Sequence, residues 1–437
     1  MTTVVSFAAL FASIMLVQFG SGTLGPLDVL AATARGFSDR EIGLMGSAHF
    51  AGFLIGCIAT PRLMGSVGHS RVFAAAASLG AVGALLHPVF ETPLAWALLR
   101  VLTGIAIATA YTVIESWLHA KTPNEKRGRV YGIFRLTDMT AQIGAQGMVA
   151  LLDPASFVAY NIVATFCCLC LLPLALSKRA PPQMSTTPAL RPLTAWRLSP
   201  AAMAAVLVAA LSGAAFRMTG PVYVLGFGLD AGSVALFLIS GLVGGALAQW
   251  PVGWLADKID RRRVLIAVSA ATLPACLFLG HGLPALAPDG AGAGPLLAIG
   301  AFMFGATAFP LHSLATTYAN DYAPPEMMID LNASIIFYFS LGAIVAPVLT
   351  AELMASKGPG AMFDVIAVGH LSLIAFALYR ATRRPGAQPS VPYAYVPRTS
   401  MVLARLFGTR DADAGPDTPA KTAEPDRASD ARQETSP

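Results

Sequence analysis

Charge is what this sequence has least of. Only 12% of its 437 residues are Asp, Glu, Lys or Arg, about half the share of a typical soluble domain, and the mean hydropathy is +0.63. An ordinary water-soluble fold is excluded. Cysteine is also sparse: Cys57, Cys167, Cys168, Cys170 and Cys276 all fall inside apolar stretches, which excludes a disulfide framework. No His or carboxylate lies near Cys167, Cys168 and Cys170 in the sequence, so these read as packing residues and no metal site is expected. A G-x-x-x-x-G-K-[ST] loop is missing, which removes direct use of ATP. Catalytic triads and metal-ligand spacings are missing too, so neither an enzyme nor a cofactor is expected.

What is present in abundance is apolar sequence in lengths of about 20 residues, the length a hydrocarbon core of ~30 Å requires. Twelve such spans can be read, near 4–32, 42–61, 72–90, 93–118, 130–152, 157–176, 201–227, 234–256, 264–279, 294–315, 331–354 and 361–379. The first lacks the basic start and small-residue cleavage site of a signal peptide, so it is expected to stay in the mature protein. Loops after even-numbered spans hold Arg62, Arg71, Lys121, Lys126, Arg127, Arg129, Lys258, Arg261, Arg262 and Arg263, whereas the opposite side shows Arg35, Arg40 and Lys357. Because short loops rich in Lys and Arg stay inside, both termini are expected in the cytoplasm, with the chain in a bacterial inner membrane. The net charge of +5 follows from this asymmetry and gives no reason to invoke nucleic acid.

A polar, Pro-rich stretch at 177–200 divides the spans six and six. Residues 25–30 (Gly-Pro-Leu-Asp-Val-Leu) parallel residues 220–225 (Gly-Pro-Val-Tyr-Val-Leu) at an offset of 195, and Leu63, Val67, Arg71 and Val72 parallel Leu255, Ile259, Arg263 and Val264 at 192. Glu115-Ser116 faces His312-Ser313 at 197. Two related six-helix bundles, 1–176 and 201–380, are therefore expected about a site at mid-depth. A cytoplasmic tail at 381–437 is read as disordered from its composition, with 396–410 either a short basic surface helix or plain linker.

Ionisable groups inside a bilayer are costly and mark functional paths. Spans 3, 6 and 9 have no Asp, Glu, Lys or Arg, and span 12 has Asp364 alone, near its outer end. The buried candidates sit instead in span 1 (Asp28), span 4 (Arg100, Glu115), span 5 (Arg135, Asp138) and span 7 (Arg217). Every third helix is then peripheral and the other eight surround a cavity. Glu115 lies about 22 Å deeper than Arg100 along span 4, at the depth of Arg135 and Asp138 on the antiparallel span 5, so these three form a candidate cluster. Glu115 or Asp138 could carry a proton with Arg135 tuning it, or the cluster could be a static ion pair. Arg217, beside Gly213 and Gly220-Pro221 where the helix could break, could meet an anionic solute group, or Asp28 or Glu115 across the bundle. Gln18, His49, Gln249 and His312 are further polar candidates, each also explicable by helix packing.

The loop after span 8, Gly253-Trp-Leu-Ala-Asp257-Lys258-Ile-Asp-Arg261-Arg262-Arg263, resembles the G-x-L-x-D-R-x-G-R-R signature of the major facilitator superfamily. The resemblance implies that Gly253, Asp257, Lys258, Arg261 and Arg262 form a cytoplasmic gate tying helix 8 to helix 5. In the first-half copy Gly65 stands where the Asp belongs, so gating is expected to be asymmetric. Arg100 with Gly104 and Ala108 is similar to the helix-4 pattern of proton-coupled members. Glu115-Ser-Trp-Leu, the run from Thr122 to Arg129, Pro221-Val-Tyr223, Ala319-Asn-Asp321 and Pro325-Glu326 resemble the YcaD-like bacterial group.

The resemblance implies an all-α fold of twelve transmembrane helices and secondary transport of a small organic solute coupled to protons. The expected unit is a monomer in the lipid bilayer that works by alternating access, with export favoured over uptake. A transporter-like sensor that binds its ligand without moving it is the alternative.

Overall fold

The computed structural model describes residues 2–122, 127–176, 189–288, 290–383 and 393. Their secondary structure is helical throughout. Twelve rods follow in order: α1 (Thr2–Ala34), α2 (Asp39–Val67), α3 (His69–Leu86), α4 (Pro93–Lys121), α5 (Arg127–Val149) and α6 (Phe157–Ala175), then α7 (Pro200–Met218, continued by Gly220–Leu225), α8 (Ala231–Lys258), α9 (Arg261–Leu286), α10 (Ala293–Asn320), α11 (Met328–Lys357) and α12 (Ala361–Arg383). Eleven are long and apolar enough to cross a membrane. The other is α5, whose Arg135, Asp138, Gln142 and Gln146 dilute its hydropathy.

The ends obey local rules. Ser38 caps α2 by accepting from the Glu41 amide while Glu41 returns a carboxylate to the Ser38 amide, a capping box. Asp230 caps α8 through Ser233. Gly68 and Gly358 close α2 and α11 at φ 87° and 93°, a region that side chains with a Cβ avoid. Two rods break beside a proline: α7 interrupts at Thr219 ahead of Pro221, and α10 at Phe309 ahead of Pro310. In α9, Phe278–Gly282 widen into a π turn.

Within the first six rods α2 packs on α4, α1 on α5 and α3 on α4 and α6. In the last six α8 packs on α10, α7 on α11, and α9 on α12. The tightest crossings are equivalent. A Cβ on Gly52 would collide with the Val101 carbonyl and one on Gly104 with that of His49; a Cβ on Gly244 would collide with Phe302 and one on Gly305 with Gly241. Gly52 and Gly244 are 192 residues apart, the spacing already seen in the sequence repeat.

The two bundles meet along α2 with α11 and α5 with α8. At the end away from the chain termini, Gly43 and Gly46 lie against Pro347 and Ala351, Ser47 Oγ donates to the Ile344 carbonyl, and Arg40 pairs with Glu352 at 2.6 Å. Between the bundles a short helix, Pro192–Leu198, rests on α11 and α12, where Trp196 stacks near Tyr338 and Phe376.

The expected tail needs one correction. Helix α12 runs to Arg383, and Tyr393 is docked on α8 rather than free of structure. Its ring fills the notch that Gly253 leaves. The proposed surface helix at 396–410 lies outside the described residues.

Candidate functional site

A cavity of about 210 Å³ lies between the bundles, lined by α1, α2, α4, α5, α7, α8, α10 and α11. None of its lining residues comes from α3, α6, α9 or α12, the rods expected at the periphery from their lack of charge. The first bundle contributes Gln18, His49, Arg100, Tyr111, Asp138, Gln142 and Gln146, and the second contributes Arg217, Gln249, His312 and Ser313. Rings of Phe50, Phe53, Phe216, Phe309 and Phe339 complete the wall.

Asp138 is the acidic residue on this wall. Its Oδ1 accepts from Gln18 Nε2 at 2.8 Å and from the Tyr111 hydroxyl at 2.5 Å, and its Oδ2 accepts from Gln142 Nε2 at 3.0 Å. Arg135 Nη1 approaches the same carboxylate at 3.7 Å while Nη2 bonds Glu115 at 2.8 Å. One turn of α5 (i, i+3) and the antiparallel α4 thus gather the three expected groups, because both helices present them at one depth. Glu115 and Arg135 stand behind the cavity wall instead of on it, at 0% and 7% exposure; the ion pair draws them into the α4–α5 contact.

Arg217 does face the cavity, beside the break in α7. One partner of its guanidinium is a glutamine of the first bundle. Arg217 Nη2 donates to Gln142 Oε1 at 3.4 Å, so Gln142 touches both Asp138 in its own bundle and Arg217 in the other.

Asp28, also expected on the cavity, is instead enclosed at 1% exposure. Arg100 Nη1 lies 3.5 Å from it and His87 Nε2 lies 3.2 Å from it. Arg100 spans this cluster and the cavity, and its Nη2 donates to Met218 Sδ of the second bundle at 3.6 Å. The sequence reading passed over His87, Tyr111 and Gln142. A lone histidine in the otherwise uncharged third span, and a glutamine four residues after Asp138, were the signals available.

The residues expected to form a gate gather at the C-terminal end of α8. Asp257 accepts from Arg261 at 2.9 Å and from the Tyr393 backbone amide at 2.8 Å. Arg261, 2% exposed, also pairs with Asp321 at the end of α10. Arg262 Nε donates to the Tyr318 hydroxyl at 3.1 Å, and Lys258 Nζ sits 3.9 Å from the Trp254 ring centroid. The expected tie from Asp257 to helix 5 falls at residues 123–129, where 123–126 and the side chains of 127–129 lie outside the described part.

Two bundles about one cavity with this loop have a recognised counterpart. The family model described as Major Facilitator Superfamily matches residues 10–347 and 205–410. The chain belongs to the major facilitator superfamily.

Relatives within it include uncharacterized MFS-type transporters: one of Enterobacter sp. (strain 638), 22% identical over 87% of this chain and 96% of the relative; one of Yersinia pestis, 25% identical over 89% and 97%; and YcaD of Escherichia coli O7:K1, 23% identical over 82% and 91%. Among solved structures the fold is similar to the nucleoside transporter NupG (TM-score 0.66, 16% identity, 86% of this chain and 97% of that one) and to a D-xylose–proton symporter (TM-score 0.63, 13% identity, 92% and 99%). Membership makes this chain a multi-pass membrane transporter and not an enzyme.

Proposed function

We propose that this facilitator is a proton-coupled secondary transporter of a small organic solute, working as a monomer by alternating access. The observation that carries the reading is a cavity whose polar groups come from both bundles, Asp138 and Gln18 from one and Arg217 and Gln249 from the other. Rocking two bundles about such a site exposes it to each side in turn. The packing of α2 against α11 at one end marks the closed side in this state. By the distribution of Lys and Arg that side faces out of the cell, the termini lie in the cytoplasm, and the membrane is the bacterial inner membrane. The bundles are 1–176 and 201–380, joined by 177–200.

The cavity is below the ~300–1,000 Å³ of drug-sized ligand pockets, which favours a solute of metabolite size. Asp138 is the coupling carboxylate in this reading. It faces the cavity, and Arg135, Gln18, Tyr111 and Gln142 surround it, so gain or loss of a proton would rearrange bonds in both bundles. Export remains the favoured direction.

A thermal-shift screen of metabolites on purified protein supplies a ligand for the test in proteoliposomes. The intact chain is expected to accumulate that ligand against its gradient when a pH difference is imposed. Asp138→Asn is expected to lose uphill accumulation while keeping counterflow exchange. Flux that never saturates and shows no counterflow would sink the transporter reading, and uphill transport intact in Asp138→Asn would remove this residue from the coupling role.

A further inference from the structure

One face of α8 holds a residue from beyond the last rod. Gln249, Gly253 and Asp257 are spaced four residues apart, so they stack on one side of the helix over about 12 Å. Tyr393 lies along all three. Its hydroxyl donates to Gln249 Oε1 at 2.6 Å, and its backbone N–H donates to Asp257 Oδ1 at 2.8 Å. Between them its ring covers Gly253, where a Cβ would stand 2.5 Å from the ring edge. Phenol, ring and amide of one residue thus each meet a fitted counterpart, and the ring has its seat because the middle position is glycine.

The place matters as much as the fit. Gln249 is the last residue of α8 on the cavity wall, and Asp257 is next to the end of the rod. Tyr393 therefore runs from the rim of the cavity toward the end of α8, opposite the α2–α11 seam. That seam is shut by direct contact between the bundles, glycine against proline and alanine. At the other end the cavity-facing side of α8 is occupied by the tyrosine instead.

We propose that Tyr393 is a built-in wedge, and that the bundles can close at this end of the cavity only after it has left α8. An approaching first bundle and the tyrosine ring would need the same space, so docking favours the state in which the α2–α11 seam is shut. Release leaves no stranded charge, because Asp257 Oδ1 also accepts from Arg261 Nη2 at 2.9 Å. Nor does it unfold a rod, since α12 ends at Arg383. The wedge rests on the reading that the two bundles rock about the cavity.

Docking is tested first, in the full-length chain in nanodiscs, with p-azidophenylalanine introduced at position 393. Light is expected to join it to the α8 peptide that carries residues 249–257, and capture of other segments alone overturns the proposal. The wedge is then tested by spin labels on unnatural amino acids at positions 66 and 263, exposed sites near the ends of α2 and α9 on the side away from the seam. Tyr393→Ala removes the ring and the phenol and is expected to raise the ratio of short to long distances at least about fivefold. Tyr393→Phe, which lacks the hydroxyl alone, should give a smaller shift of the same sign. Gly253→Ala evicts the ring without touching the tyrosine, and combining it with Tyr393→Ala should move the ratio no further than Tyr393→Ala does.

Two distance populations whose ratio ignores Tyr393, or shifts toward the longer distance in Tyr393→Ala, overturn the wedge and leave the rocking of the bundles standing. A single distance in every variant sinks the rocking and the wedge with it, so the two failures are distinguishable. The crosslink bears on docking even if a substituted chain misfolds.

Discussion

The two bundles share a scaffold and differ in what they bury. At and behind its cavity wall the first holds two charged clusters, Asp28–Arg100 with His87 and Glu115–Arg135–Asp138. The second encloses aromatic rings: Phe216 stacks on Phe237 and Phe304 at 4.6 and 5.3 Å, and Tyr223 and Phe304 both meet Phe363 edge-on. Its ion pairs among the described residues lie near the helix ends, as in Arg261 with Asp257 and Asp321 and Arg191 with Asp330, as does the His281–Asp364 hydrogen bond. The repeat makes the contrast sharp at one position. Where the first bundle has Asp28, the second has Tyr223, whose hydroxyl donates to the Leu279 carbonyl in the π turn of α9. One copy holds a carboxylate beside an arginine there, while the other settled the same place with a neutral bond.

The largest test of this contrast is Arg135→Met. It takes the cation away from Glu115 and Asp138, and a broken buried pair costs about 3–5 kcal/mol. Arg191→Ala on the exposed Arg191–Asp330 pair should cost under ~1 kcal/mol. Thermal unfolding in detergent compares them, and equal losses would dissolve the distinction between a charged bundle and an aromatic one.

Gly52→Ala and Gly244→Ala probe the scaffold that the bundles are said to share. Each puts a methyl group into a backbone carbonyl across the crossing, with about 1–3 kcal/mol expected for overpacking. Loss at only one of the two would mean that the crossings are not equivalent.

The smallest effect concerns a cap outside the bilayer. Hydrogen bonds from Ser233, first from its backbone amide, hold the Asp230 carboxyl below the usual carboxylate range. A depressed carboxylate stabilises the fold above its ordinary pKa, and that contribution fades as pH falls through the depressed value. Asp230→Ala should therefore cost about 1 kcal/mol near neutral pH and less in acid, read from unfolding midpoints at two pH values.

The twelve rods were legible because hydropathy and the 1.5 Å rise leave few alternatives for runs of this length. The Glu115–Arg135–Asp138 cluster was legible as well, since charges one turn apart on adjacent antiparallel helices share a depth. Depth along a helix does not say which face a side chain takes. Sequence therefore could not tell that Asp28 turns from the cavity toward His87, or that Arg217 meets Gln142. Tyr393 on Asp257 was beyond reach for another reason. It joins residues 136 apart through a segment whose composition speaks only of solvent.

The closed seam has a consequence for how this protein answers its surroundings. Its Arg40–Glu352 ion pair has both side chains more than half exposed, and such pairs contribute under ~1 kcal/mol and are screened by salt. The rest of the seam described is one hydrogen bond from Ser47 to the Ile344 carbonyl and glycine against proline and alanine, contact that depends on shape. Ionic strength should thus leave this contact nearly untouched, whereas one methyl group at Gly43 or Gly46 should disturb it, making the closure a fit of surfaces rather than an attraction of charges.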